Sequence, residues 1–347
     1  MRALLFTAFT AVFVYAQPDD STWFRFNSEG IRLTKVPNYP VAETRFRSAL
    51  AEAEAFGEQD YRYWATLSNL ALVRQEQGDL ASAEKLYRQV VDLRQLYLGR
   101  DRPEVASAQI NLATVLHTGG RETEAEQLLR RALPAAEAAG DQKATAAALN
   151  CLALVLVEMG ERARAEPVLR RAQALFEHEF GAESIEVAKA TNNLAMLYRL
   201  EGEYARAEAM MHRALPVYEK VLGPNHPLFA GVLNNMFTVL GEQKRYDDGE
   251  PYLRRALEIG EKAFPETARL AMMRANLASL EAGRGHYDIA AKILESVITL
   301  QEKTLGPNHP QLATSLENYS VVLRQLHQKT EAKRAENRAN AILKSFR

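Results

Sequence analysis

The sequence has one cysteine, two tryptophans and almost no net charge. With Cys151 as the sole thiol, no disulfide closes within the chain and stability must come from packing. The 43 Lys and Arg residues are matched by 44 Asp and Glu, for a formal net charge of -1, so the concentrated cationic excess that polyanion binding needs is missing. No Ser-His-Asp or Cys-His set, zinc-ligand cluster or phosphate-cradling glycine loop occurs at a recognised spacing. His178-Glu179 is followed by Phe180 and Gly181, not by the second His of a zinc-protease helix. The carboxylates recur at periodic positions and do not converge. The expectation is a chain with no catalytic role, no cofactor and no metal.

A long apolar run is also lacking. The uncharged stretch from Ala3 to Tyr15, thirteen residues, makes about 20 Å of helix, short of the roughly 30 Å hydrocarbon core. It follows Arg2 and ends in Val14-Tyr15-Ala16, the order of a secretory signal peptide, so residues 1–16 are expected to be removed and Gln17 to begin the mature chain. This predicts a periplasmic or secreted protein with no transmembrane anchor.

What is present is a repeat. Asn69, Asn111, Cys151, Asn193, Asn235, Asn276 and Asn318 stand 42, 40, 42, 42, 41 and 42 residues apart. The pairs that begin at Ala83, Ala125, Ala165, Ala207, Gly249, Ala290 and Ala332 step by the same intervals. Two marks in one register imply a repeat array, which buries apolar faces between neighbours and is expected to form one elongated domain.

Within a unit, Tyr204, Ala207, Met211, Ala214, Tyr218 and Val221 advance by threes and fours, one face of a helix. Val187, Ala190, Leu194, Leu197 and Tyr198 form a second stripe upstream, and Gly202 lies between the two. Each unit therefore reads as helix A, tight turn, helix B. Gly78, Gly120, Gly160, Gly202 and Gly285 occupy the turn, whereas Lys244 and His327 replace glycine and must take a left-handed backbone. Between units, Gly223-Pro224-Asn225-His226-Pro227 and Gly306-Pro307-Asn308-His309-Pro310 end one helix and start the next, so His226 and His309 read as capping residues. Glu84, Glu126, Glu166 and Glu250 each precede an arginine by four residues, the order that favours helical ion pairs of about 0.2 to 0.5 kcal/mol. The arginine ridge on helix B is thus read as self-neutralised.

The small, large, small series Ala83-Tyr87-Val90, Ala125-Leu129-Ala132 and Ala207-Met211-Ala214 resembles helix B of tetratricopeptide repeats. The 42-residue period, the Asn-Asn-Leu-Ala phrase at 192–195 and the Gly-Pro-Asn-His-Pro linkers resemble the kinesin-light-chain type. The resemblance covers about residues 23 to 345. Gly30, Ala42, Phe46 and Ala49 fit the spacing one unit earlier, so residues 17–60 hold a degenerate first repeat and 61–347 seven more, the last a charged cap.

The resemblance implies an all-α solenoid, a right-handed superhelix of antiparallel helix pairs whose A helices line a concave groove. By that analogy Asn69, Asn111, Asn193, Asn235, Asn276 and Asn318 face the groove, with Lys189 and Arg199 beside them and His117 and Arg324 further along. Amide side chains can donate to and accept from a partner backbone, or they can bond the adjacent helix and fix the stacking register. Both readings stand at this point. Kinesin light chains hold acidic peptides with basic groove residues, but Ala65, Ser107, Ala147, Gly231, Met272 and Thr314 occupy the corresponding positions here, which argues against that specificity. The expected function is a non-catalytic scaffold or adaptor that binds a peptide or helix of a protein partner. The alternative is a small-molecule or glycan module using Tyr198 and Arg199, with nucleic-acid binding a third reading. The oligomeric state stays open.

Overall fold

The structure is a computed structural model that describes residues 22–35 and 38–344; the expected signal segment lies outside the described residues. Among them are sixteen α-helices and no strand. They run α1 (Thr22–Lys35), α2 (Tyr39–Glu54), α3 (Tyr61–Glu76), α4 (Leu80–Leu98), α5 (Pro103–Thr118), α6 (Glu122–Ala138), α7 (Gln142–Glu158), α8 (Arg162–Phe180), α9 (Ile185–Leu200), α10 (Tyr204–Leu222), α11 (Pro227–Glu242), α12 (Tyr246–Ala263), α13 (Ala268–Gly283), α14 (Tyr287–Leu305), α15 (Pro310–Gln325) and α16 (Lys329–Lys344). The fold is an all-α, tetratricopeptide-type solenoid in which each odd-numbered helix is a helix A. The chain divides into two compact units, with the boundary at Ala190 and Thr191 inside α9. Each is described by itself.

In the first unit, α1 pairs with α2, α3 with α4, α5 with α6 and α7 with α8, and neighbouring A helices also meet, α1 with α3 and α5 with α7. Small residues make this approach possible. Ala42, Ala83, Ala125 and Ala165 are fully buried, each followed four residues later by a buried Phe46, Tyr87, Leu129 or Leu169. Gly30 belongs to the same set, since a Cβ there would sit 2.5 Å from Cε1 of Phe46. Near the unit's end, Ala146, Leu149, Ala172, Phe176, Val187 and Ala190 form one cluster.

The second unit repeats the pattern with α11 on α12, α13 on α14 and α15 on α16. Ala207, Ala290 and Ala332 fill the small position, and at Gly249 a Cβ would come to 3.0 Å from Phe237 Cδ2. The closing helix α16 buries Ala332, Ala335, Ala339 and Ile342 and leaves its charges outside. The sequence pattern places Leu343 on that stripe. Ile342 holds the buried place, and Leu343 packs at the margin.

The turn after helix A is a Schellman motif. After α9, Gly202 has φ 79° and the Glu203 N–H donates to the Tyr198 carbonyl at 2.8 Å. Lys244 and His327 adopt the same geometry at φ 59° and 60°, with Arg245 N–H bonded to Leu240 O and Gln328 N–H to Leu323 O. Between repeats, His226 and His309 cap α11 and α15, each Nδ1 accepting a backbone N–H two residues on, from Leu228 at 3.1 Å and Gln311 at 3.2 Å. That explains the histidines without metal or acid-base chemistry.

Candidate functional site

The helix A amides are built into the stacking. In the first unit, Asn69 Nδ2 donates to Asn27 Oδ1 at 2.9 Å, linking α3 to α1. In the second, Asn235 donates to Asn192 at 3.0 Å and Asn276 to Asn234 at 2.8 Å, with Thr238 Oγ1 at 3.4 Å from the same nitrogen. Asn111, Asn193 and Asn235 are buried, Asn69 and Asn276 half-buried and Asn318 exposed. At the position Cys151 takes in this series, Thr114 Oγ1 lies 3.6 Å from the sulfur. Burial pushes that thiol up to about 12, away from the thiolate form at neutral pH.

The charged candidates are mostly committed to neighbours. Arg199 is buried and pairs with Glu242 of the next repeat. Lys189 is half-buried; desolvation lowers its ammonium pKa, against the opposing pull of Glu186 and Glu76. His117 is buried with Nδ1 2.8 Å from Glu122, and Arg324 pairs with Glu336 at 3.0 Å. Tyr198 is only 1% exposed, its hydroxyl accepts from Arg206 Nη2 at 3.1 Å, and that guanidinium lies 4.1 Å above its ring. Tyr198 and Arg199 therefore lend a small-molecule site little open surface.

On helix B, Glu126 pairs with Arg130 at 2.7 Å, Glu84 with Arg88 at 2.8 Å and Glu166 with Arg170 at 3.0 Å, while Arg254 Nε donates to Glu250 at 2.6 Å. A second layer joins repeats. Arg121 reaches Glu84 and Glu124, each at 2.6 Å, and Arg245 reaches Glu208 and Asp248, each at 2.7 Å. The ridge is neutralised twice over, which weakens the case for a phosphate-binding face.

One feature of the first unit lies outside the sequence pattern. A cavity of about 260 Å³ opens beside α3 and α5, lined by Asn69, Asn111, Ser107, Glu104, Asp141 and the buried Arg94 from helix B. Arg94 Nη1 donates to the Glu104 carbonyl at 2.6 Å, and its Nε is buried without a partner. Among the described residues no three His, Cys, Asp or Glu side chains are grouped to hold a metal, and no helix is long and apolar enough to cross a membrane.

The tetratricopeptide-repeat family profile matches at residues 63–138, 144–220, 186–262, 228–303 and 269–345, most of the chain. The chain belongs to the tetratricopeptide-repeat family. Tetratricopeptide-repeat proteins are generally non-catalytic, and membership points to a protein-interaction scaffold with protein partners. Among solved structures, a Rap protein complexed with Competence and Sporulation Factor is 15% identical, with TM-score 0.72 over 95% of this chain and 88% of that one. The apo form of RapI is 17% identical, with TM-score 0.60 over 82% of this chain and 98% of that one. BtubC (BKLC) from P. vanneervenii is 24% identical, with TM-score 0.49 over 70% of this chain and 92% of that one. No curated protein sequence matches.

Two of these tetratricopeptide-repeat features escaped the sequence reading. Asn27 lies 42 residues before Asn69 and belongs to the amide series, but Phe26 and Ser28 flank it in place of the recurring phrase. Arg94 carried no signal, because one arginine among many on helix B says nothing of its burial.

Proposed function

We propose that this protein is an exported, non-catalytic adaptor that holds an extended segment or a helix of a partner protein against its helix A surfaces. The observation that carries this reading is the unused capacity of Asn69, a half-buried stacking amide. Asn69 uses one N–H of Nδ2 in its bond to Asn27, which leaves a second N–H and its own Oδ1, the pair that a peptide backbone complements. The Rap structure with its bound factor offers a precedent for ligand binding on a similar fold, though not for the ligand.

Export is supported by the order of Arg2, the uncharged run and Val14-Tyr15-Ala16. The test is cross-linking of the full native protein in the envelope and culture fluid, with mass spectrometry of the adducts and of the N-terminal peptide. The expected result is a protein adduct on odd-numbered helices and a chain that begins at Gln17. Adducts confined to helix B, or an intact N-terminus in the cytoplasm, would overturn the corresponding half of the proposal.

A further inference from the structure

We propose that the cavity beside α3 and α5 binds a free α-amino acid, holding its carboxylate on Arg94 and its ammonium on Asp141 and Glu104. Arg94 is the starting point. It comes from α4, bonds the backbone in the first turn of α5 and lines the cavity, while the residue as a whole is only 8% exposed. Of its five N–H donors, the one with an acceptor among the described residues is on Nη1, which bonds the Glu104 carbonyl. A buried guanidinium with unmet donors favours a charged acceptor, and a carboxylate is one.

A simple anion does not fit the rest of the wall. Asp141 and Glu104 line the same cavity and oppose it. Asp141 Oδ1 caps α7 by accepting the Ala144 N–H at 2.9 Å, which leaves Oδ2, and the half-exposed Glu104 carboxylate lies 3.6 Å from Arg102 while its charge also acts on Arg94. A simple cation would satisfy these two and leave Arg94 as it is. A ligand with both charges a few bonds apart satisfies all three. The Asn111 amide, with no hydrogen-bond partner among the described residues, adds a donor and an acceptor between them. At about 260 Å³ the cavity is on the scale of a small molecule and not of a folded segment. The site shares Asn69 with the proposed partner-binding surface, but it rests on Arg94 and not on partner capture.

The test titrates the purified full chain with each of the twenty common amino acids while the Arg94 Nε–Hε resonance is followed by NMR, with calorimetry for affinity. The expected result is a saturable shift for at least one amino acid by about 10 mM, and a loss of at least about tenfold in affinity for its decarboxylated amine and for its deaminated acid. Arg94→Gln should remove binding. Ser68→Leu, which narrows the cavity and keeps Arg94, should do the same in a chain whose circular dichroism is unchanged, so a misfolded Arg94 variant would not spare the idea. No shift with any amino acid, a deaminated acid or an amine that binds as well as its parent, or undiminished binding by Ser68→Leu would each overturn it.

Discussion

Replacing Lys244 and His327 by glycine should stabilise the protein, although both changes delete side chains. Each residue sits at the left-handed position of a helix A C-terminus, at φ 59° and 60°. For an L-residue that conformation costs about 1–2 kcal/mol, whereas glycine adopts it freely. Glycine also loosens the unfolded chain, which gives back about 0.4–1 kcal/mol. Both side chains are exposed, so little packing is lost. The balance is a gain of about 0.5–1 kcal/mol per site, and the two sites, far apart in sequence and without common partners, should add. Gly202→Ala provides the reverse experiment. Its φ is 79° and a Cβ built there meets nothing within 4 Å, so the expected loss of about 1 kcal/mol would be purely conformational. Repeat arrays need not unfold in one step, so the assay is urea denaturation combined with amide exchange in α11, α12, α15 and α16. Slower exchange there and a higher midpoint in Lys244→Gly and His327→Gly are expected. A lower midpoint in both, with a neutral Gly202→Ala, would refute the assignment of strain to these turns.

Gly30→Ala should cost about 1–3 kcal/mol in thermal or urea unfolding, because the new methyl would sit 2.5 Å from the buried Phe46 ring. Acid should destabilise both units. The Arg62 side chain holds Asp60 below its ordinary value, and Arg284, then Arg254, does so for Glu250. With the folded pKa depressed, the stabilisation is complete above the ordinary carboxylate range near 4 and is lost as pH falls through the lower folded values, so Asp60→Asn and Glu250→Gln should flatten the acid limb of a stability–pH curve. Cys151, with its thiol pushed up to about 12, should resist alkylating reagents at pH 8 until the first unit opens, so its labelling rate in urea should track the loss of helix signal. Rapid labelling of the native chain would contradict its burial.

The parts of this fold legible in the sequence are those with short range or strict period. Glu84 and Arg88 meet because four residues bring them to one helix face, and Ala83, Tyr87 and Val90 share a buried stripe for the same reason. Lys244 and His327 were recognisable as strained because five other units place glycine there. Contacts 37 to 43 residues apart were not legible. Whether Arg121 reaches Glu84 or Arg199 reaches Glu242 depends on how two hairpins stack, and a repeat period fixes only that they are neighbours. The candidate site suffers most, because the amides were readable as a series while their partners were not. Asn69 selects Asn27, the same repeat position, but Asn235 selects Asn192, one residue before it.

That one-residue difference bears on what the amides do. A residue whose only task is to fix stacking can be replaced by any pair that preserves the bond. Asn69→Asp would lose the Nδ2 donor to Asn27 and set two acceptors against each other, since Asn27 offers its Oδ1, unless Asn27 flips to present its own amide nitrogen. If it flips, the cross-helix bond survives and stability should fall little, but Asn69 then offers an acceptor alone to any partner backbone. Asn69→Leu removes both the bond and the proposed partner-facing capacity, at a cost of about 1–2 kcal/mol for the buried amide of Asn27 left behind. A partner recovered by cross-linking should therefore bind Asn69→Asp more weakly at nearly native stability. If binding falls only in step with stability across both variants, the amides serve the stacking alone.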